Sequence, residues 1–390
     1  MDKKKIKAEI AVVGAGPAGS TAAEVAARQG AQVILIDRKR EIGAPIQCGG
    51  FLPQMHELKR LLPRAELPPT LEDIPERYVL HKTKVQRIYA PSGGYKEFSV
   101  DGRVIDRRGF DHHLAHRAAR AGAQILIATR AHLEDAGLRL EGHFSGSLKA
   151  KVVVGADGPS SEVARRANMW SRPEVGVCLE YEMVDVDIDP LATEMYFGTK
   201  WAPGGYAWII PLGKDVANVG VGMIPSYLDK GTSLTQILRS FIRYHPVAGD
   251  MLRNGKTVAV MRGLVPAGGL NQTIQKNNIM LVGDAAGQVM ATSGGGIPLA
   301  MVGGRIAGEV ATGFLKGECK LDEYTSRIKE EMGRELNNSV RIRGLVEKVM
   351  RNDKLMNALL TMLPPDQMKA TQRGQVPDVL NKIEDVIANR

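Results

Sequence analysis

The chain has little cysteine, few aromatics and no long apolar run, and each scarcity excludes a class. Three cysteines, Cys48, Cys178 and Cys319, stand scattered with no C-x-x-C pair. That argues against a disulfide framework or a zinc site, so no metal is expected and a reducing cytosol is the expected compartment. Aromatics make up 5% of the 390 residues and are nowhere interleaved with basic side chains, so no nucleic-acid partner is expected. No apolar run approaches the length of a membrane-spanning helix, and the opening MDKKKIKAEI lacks the apolar centre of a signal peptide. Lysine and arginine exceed aspartate and glutamate by 52 to 43. The net charge of +9 fits an anionic ligand, an anionic membrane surface or simply a basic exterior.

What is present begins with Ile10 to Asp37, IAVVGAGPAGSTAAEVAARQGAQVILID, which reads as strand, glycine turn, helix, strand. Gly14, Gly16 and Gly19 form G-x-G-x-x-G at the opening of a helix, the context the motif requires. Gly14 permits the tight turn, Gly16 lets backbone amides approach a pyrophosphate, and Gly19 lets the helix lie close on the strand. The second apolar run ends at Asp37, about 20 residues on, where a carboxylate can accept from ribose hydroxyls. This predicts a dinucleotide site; the bland alternative is an empty βαβ unit of the same form.

Two further strands end in glycine turns carrying an acid: KVVVGADGPS at Asp157 and IMLVGDAAG at Asp284, the latter followed by SGGGI. Together the three turns predict loops gathered at the carboxyl edge of one sheet, where open α/β folds bind ligands. Between them, Cys48 sits in a loop beside Gly49 and Gly50; on spacing alone it reads as a small buried hydrophobe. His112 and His116 stand one helical turn apart, but H-E-x-x-H is absent and no third ligand stands out, which favours a solvated helix face. In the strand-rich stretch 172–265, Cys178 to Val186 and Thr193 to Phe197 are expected to pair. Alternation places Tyr206, Trp208 and Ile210 on one face, either a core surface or a channel wall. From Asp322 onward Ile328, Met332, Leu336, Val340, Leu345, Val349, Leu355, Leu359 and Leu360 recur near helical spacing up to Pro364-Pro365. Such a stripe packs on its own protein or, being basic between the apolar positions, lies on a membrane surface.

The GAGPAG turn, the Asp-Gly pair in VVGADGPSS and the Gly-Asp pair in LVGDAAG together resemble the FAD-binding fold of the para-hydroxybenzoate hydroxylase type. More narrowly, the chain is similar to the geranylgeranyl reductase family, which includes the archaeal digeranylgeranylglycerophospholipid reductases. EIGAPIQCGG resembles that family's loop carrying a cysteine at the flavin, and VIDRRGFDHHLAHRAARAGA the stretch where an arginine, here Arg107, meets the cofactor. The resemblance runs from about residue 8 to 315 and is weaker beyond.

It implies an α/β fold: a Rossmann-type FAD-binding domain in three parts (1–80, 105–171, 266–318), a sheet-bearing substrate domain (81–104, 172–265) and a helical C-terminus (319–390). The FAD contacts it implies are Gly14, Gly16, Ala18, Gly19, Asp37, Arg38, Cys48, Gly49, Arg107, Ala131, Asp157, Gly158, Gly283, Asp284, Gly295, Gly296 and Ile297. Tyr206, Trp208, Ile210 and Pro211 match the family's Y-x-W-x-F-P-K channel motif except that Ile210 replaces its phenylalanine, and Leu212 stands where it has lysine. Asp37 stands where the family usually has glutamate.

The implied activity is FAD-dependent reduction of carbon–carbon double bonds in an isoprenoid lipid or quinone, with Cys48 as the catalytic acid. The implied place of work is archaeal-type membrane lipid synthesis, in the cytoplasm with peripheral membrane contact. Only one complete dinucleotide fingerprint is present, so the external reductant is expected to dock transiently: a nicotinamide, a deazaflavin or a ferredoxin. An aromatic hydroxylase on the same fold and a non-catalytic flavin-binding partner are the rival readings.

Overall fold

The structure, a computed structural model, describes residues 4–170, 174–229 and 231–377. Two sheets organise it. In the first, the strand Lys4–Val13 runs parallel to Val33–Ile36 on one side and Gly146–Gly155 on the other, and Ile279–Leu281 extends the row. Near-continuous β-branched and leucine runs build these strands because both faces are covered. Register sets their ends level: Val13 pairs with Ile36 and with Gly155, and Gly155 with Leu281. The three glycine turns therefore leave the sheet side by side. Helices Pro17–Arg28 and Ile297–Lys316 pack on one another over this sheet, with Ala22, Ala23, Val302 and Ile306 buried.

The second sheet is mostly antiparallel, with the strand order Lys256–Pro266, Val175–Val184, Val216–Met223, Gly205–Pro211, Ala192–Tyr196, Val79–Tyr89, Tyr95–Ile105, Phe51–Pro53. The expected pairing of Cys178–Val186 with Thr193–Phe197 does not occur. The hairpin formed by Gly205–Pro211 and Val216–Met223 is inserted between them, and Ala192–Tyr196 pairs instead with Gly205–Pro211 and, in parallel, with Val79–Tyr89. One face of this sheet is closed by the helix Leu234–Tyr244, started by a capping box of Ser233 and Gln236 and burying Ile237, Leu238 and Phe241.

The other face is roofed at one end by the C-terminal helices Arg334–Met350, Asp353–Met362 and Pro365–Gln372. Ile342, Leu345, Met356, Leu359, Leu360 and Met368 cluster there with Ile88, Phe98, Met195 and Phe197 of the sheet. The helical stripe thus packs on its own protein, except that Leu355 points outward and is 53% exposed. No helix among the described residues is long and apolar enough to cross a membrane.

Candidate active site

A cavity of about 600 Å³ runs from Gly16, Ala18 and Asp284 at the carboxyl edge of the first sheet, past Cys48 and Arg107, across the face of the second sheet and under the C-terminal helices. At its head, Gly14 has φ +104°, and a Cβ there would lie 2.2 Å from the Ala156 carbonyl oxygen, so the first and second glycine turns touch through backbone. A Cβ on Gly19 would lie 1.8 Å from the Gly14 oxygen. Gly16, by contrast, faces open space and caps the helix with no side chain and no acid in the first turn. Free amides at a helix start are a ready anion site. Asp37 closes the far side: its carboxylate accepts from Ala15 N at 2.7 Å and Lys39 N at 2.8 Å.

The two acids of the later turns differ. Asp157 accepts from Ser161 Oγ at 2.5 Å, Glu162 N at 2.6 Å and Val163 N at 3.0 Å, starting the short helix Glu162–Arg166. Asp284 lines the cavity, and its carboxylate accepts no hydrogen bond from the described residues. Burial pushes its pKa up to about 6, with Arg107 pulling the other way. The Gly283 turn is fixed from below, where Gln288 Oε1 accepts from Gly283 N at 2.7 Å and Tyr324 donates to the Leu281 carbonyl at 2.5 Å.

Cys48 is placed by the loop that crosses the second sheet. A Cβ on Gly49 would meet Ile210 Cδ1 at 2.8 Å and Asn218 Oδ1 at 3.2 Å, so only glycine lets the loop lie this low. Asp106 caps the helix Arg107–Arg120 by accepting from Arg108 N, which puts Arg107 in the first turn. Asp111 grips its guanidinium at 3.1 and 2.9 Å, and its charge interacts with the Cys48 sulfur, which also accepts from Gly50 N at 3.4 Å.

The sheet face opposite presents rows set by register: Cys178, Gly222 and Tyr206, then Glu180, Gly220 and Trp208, then Glu182, Asn218 and Ile210. A Cβ on Gly220 would lie 2.2 Å from the Trp208 ring, so the bare glycine lets the indole lie flat across its strand. Trp208 Nε1 donates to Asn218 Oδ1 at 2.7 Å, and Tyr206 donates to the Ser293 carbonyl at 2.6 Å, tying the sheet to the SGGG loop.

Residues 174–265 match the geranylgeranyl reductase catalytic domain and residues 9–132 the FAD dependent oxidoreductase family. The chain is 34% identical over 377 residues to the digeranylgeranylglycerophospholipid reductase of Methanocella arvoryzae, covering 90% of each chain. It is 36% identical to that of Methanocaldococcus jannaschii, covering 89% of this chain and 88% of the relative. The chain belongs to the geranylgeranyl reductase family. Among solved structures, a geranylgeranyl bacteriochlorophyll reductase-like protein from Thermoplasma acidophilum superposes with a TM-score of 0.83 at 28% identity, over 98% of this chain and 100% of that one. The flavin-dependent brominase Bmp2 shares the fold alone, with a TM-score of 0.74 at 14% identity over 98% of this chain and 100% of that one.

As a member of the geranylgeranyl reductase family the protein is an FAD-dependent oxidoreductase, and the residues present fit that cofactor. The uncapped helix start at Gly16 suits the pyrophosphate, and Asp284 offers a carboxylate with free lone pairs to ribityl hydroxyls. Gly16, Ala18, Cys48, Gly49, Arg107, Gly158, Gly283, Asp284, Gly295, Gly296, Ile297, Tyr206, Trp208 and Ile210 all line the one cavity. Gly14, Gly19, Asp37, Arg38, Ala131, Asp157 and Pro211 do not line this cavity. Ala131 lies in the strand Thr129–Glu134 with its methyl in the core of the first sheet. Asp157 spends its oxygens on the short helix, and Pro211 is buried beneath the channel face. Arg38 is exposed beside Asp37.

Leu212 sits in the turn after Pro211, outside the cavity lining, where its amide donates to the Val216 carbonyl at 2.8 Å. The lysine missing there is therefore not missing from the cavity wall. Sequence reasoning gave no site role to Cys178, Glu180, Met356, Leu360, Leu363 and Met368, which line the cavity, or to Asn218, which holds Trp208. The available signal was G-V-G at 220–222, whose period of two marks a strand with one bare face.

Proposed function

We propose that this protein saturates the carbon–carbon double bonds of geranylgeranyl chains on an archaeal-type membrane lipid. The observation that carries the reading is one continuous apolar cavity joining Asp284 and Cys48 to the methionine- and leucine-lined space under the C-terminal helices. An extended isoprenoid can lie there with one double bond at the cofactor end. FAD supplies the hydride when bound. An isolated alkene has no carbonyl to absorb developing charge, so a proton must reach the second carbon from the protein. Cys48 holds that proton, and Arg107 stabilises the sulfur once it has left. Tyr206 and Trp208 form the wall that positions the chain, and the roof of Leu359, Leu360 and Met356 keeps water out.

Leu355 and Met362 protrude from the helix Asp353–Met362, 53% and 65% exposed, next to Arg351 and Lys354. That pattern supports peripheral contact with an anionic lipid surface beside the cavity. The electron donor is proposed to dock transiently. The test is anaerobic incubation of dithionite-reduced protein with a geranylgeranyl phospholipid, followed by mass spectrometry. Gain of one H2 per saturated bond is expected; an unchanged lipid beside flavin that stays reduced would refute the reading.

A further inference from the structure

Glu180 stands on the cavity face of the strand Val175–Val184, 3% exposed, with Oε2 buried and bonded to nothing. Its surroundings are unusual for a carboxylate. Asn218 hydrogen-bonds it, and the direction of that bond is fixed: indole Nε1 can only donate, so Asn218 gives its oxygen to Trp208 and its NH2 to Glu180. Across the neighbouring strands stand Gly220 and Met261, which offer no polar atom. The titratable and charged groups that face it are Cys178 and Glu182 on its own strand and Arg107 above. Arg107 is already committed to Asp111 and to the Cys48 sulfur, and Asp284 shares its field. Cys178 feels both Glu180 and Cys48, and all three line the same cavity.

We infer that Glu180 is the internal acid that returns a proton to Cys48 after each alkene reduction. The inference rests on the reading of Cys48 as proton donor. In the reducing step, hydride and the Cys48 proton add across the double bond, and the sulfur is left as thiolate beside Arg107. The O–H bond of the Glu180 carboxyl then breaks, an S–H bond forms at Cys48, and the negative charge moves to Glu180. Solvent reprotonates the carboxylate when product leaves. An ordinary carboxyl is a stronger acid than an ordinary thiol, and reprotonation of the carboxylate from solvent draws the transfer to completion.

Three features support a neutral, proton-bearing Glu180. Burial raises its pKa, opposed by the Asn218 hydrogen bond and then by the charge of Arg107. An ionised carboxylate with one bare oxygen in an apolar wall would be costly, and the fold supplies no ion pair to offset it. Burial also pushes the neighbouring Cys178 thiol up to about 12, helped by Glu180 and then Cys48. That thiol therefore stays neutral and leaves the carboxyl as the available acid.

The test uses the FAD-loaded protein and Glu180→Gln, which keeps the volume and an acceptor for Asn218. Infrared difference spectroscopy should show a protonated-carboxyl band in the parent at pH 7 that Glu180→Gln lacks. With isoprenoid, the first reduction by pre-reduced Glu180→Gln should match the parent, because Cys48 starts with its proton. Steady-state turnover should fall by about tenfold or more, since every later cycle waits for a proton from outside. A merely structural role would slow both phases equally. Glu180→Asp, shorter but acidic, should restore turnover in part. An absent band, or equal slowing of first and later reductions, overturns the inference. If the parent itself reduces no isoprenoid while the band is present, the functional reading has failed rather than the assignment of the proton.

Discussion

The guanidinium of Arg107 is fixed by Asp111, four residues along the same helix, through bonds of 3.1 and 2.9 Å, and it shares an electrostatic interaction with the Cys48 sulfur across the cavity wall. An acid that must lose a proton needs its conjugate base stabilised in place, and this pairing does so without a mobile counter-ion. Cys48→Ala should retain FAD and accept electrons from a chemical reductant. Single-turnover oxidation of the reduced flavin by an isoprenoid should slow by about 10²–10⁴-fold, the usual contribution of a general acid. A rate equal to the parent's would reduce Cys48 to a packing residue.

Asp37 carries two loads. Its carboxylate holds the amides of Ala15 and Lys39, and it stands where the ribose of FAD is expected. Asp37→Ala should weaken FAD binding by about 1.5–3 kcal/mol, read as a tenfold to hundredfold rise in Kd. The FAD-free protein should also lose about 1 kcal/mol of stability, because two turn amides lose their acceptor. Denaturant melts of the FAD-free form separate these effects. An unchanged apoprotein would mean the ribose contact is the sole role.

The glycine turns show how much was legible and where legibility ended. Strand, turn and helix at Ile10–Asp37 follow from local spacing, and level strand ends follow from pairing that the apolar runs leave little freedom to shift. Asp157 and Asp284 look alike as strings, acids in glycine turns after buried strands. They part because Ser161 and Glu162 follow Asp157 and begin a helix that uses its oxygens, a capping signal within five residues. Glu180 was not legible. Its meaning depends on Gly220, Trp208 and Asn218, brought beside it by a strand order that no local pattern encodes. Periodicity likewise marked the apolar positions of the C-terminal helices but not the cavity they cover.

Asp284 should give FAD binding a pH dependence. Burial holds its folded pKa near 6, above an ordinary aspartate, so the free protein at pH 5 carries it mostly protonated. Ribityl hydroxyls donating to the carboxylate would favour its ionised form, so binding should lower that pKa. Affinity should therefore rise as pH rises through about 6, by up to tenfold per unit of pKa lowered. Without FAD the sign reverses. The raised pKa adds stability below the unfolded value that is lost as pH rises through about 6. Titration calorimetry at pH 5 and 7 with the parent and Asp284→Asn checks this; a pH dependence that survives in Asp284→Asn would place its origin elsewhere.

Trp208 separates channel from core. Its ring lies on the bare strand at Gly220, and only its Nε1 is fixed, by Asn218. Trp208→Ala should reduce kcat/KM for long isoprenoids by about tenfold to a hundredfold while FAD content stays near the parent's. Loss of FAD in proportion to activity would instead make the indole structural.

The far end of the cavity should set chain length. Leu360 is 7% exposed, clusters with Ile88, Phe98 and Met195 of the sheet, and lines the cavity between them and the helix Asp353–Met362. Interiors at native packing density cannot absorb extra side-chain volume without moving, so added bulk enters the cavity first. Leu360→Trp should therefore shorten the space available to an isoprenoid tail. The cofactor end, with Asp284, Cys48 and Arg107, is left untouched by this change. Turnover of a geranylgeranyl substrate should fall by about tenfold or more, while a geranyl substrate, half as long, keeps most of its rate. Competition between the two in one reaction, read by mass spectrometry, gives the ratio directly. Equal loss for both would mean that the roof transmits strain to the reacting end. No loss for either would place the tail along another wall, away from the C-terminal helices.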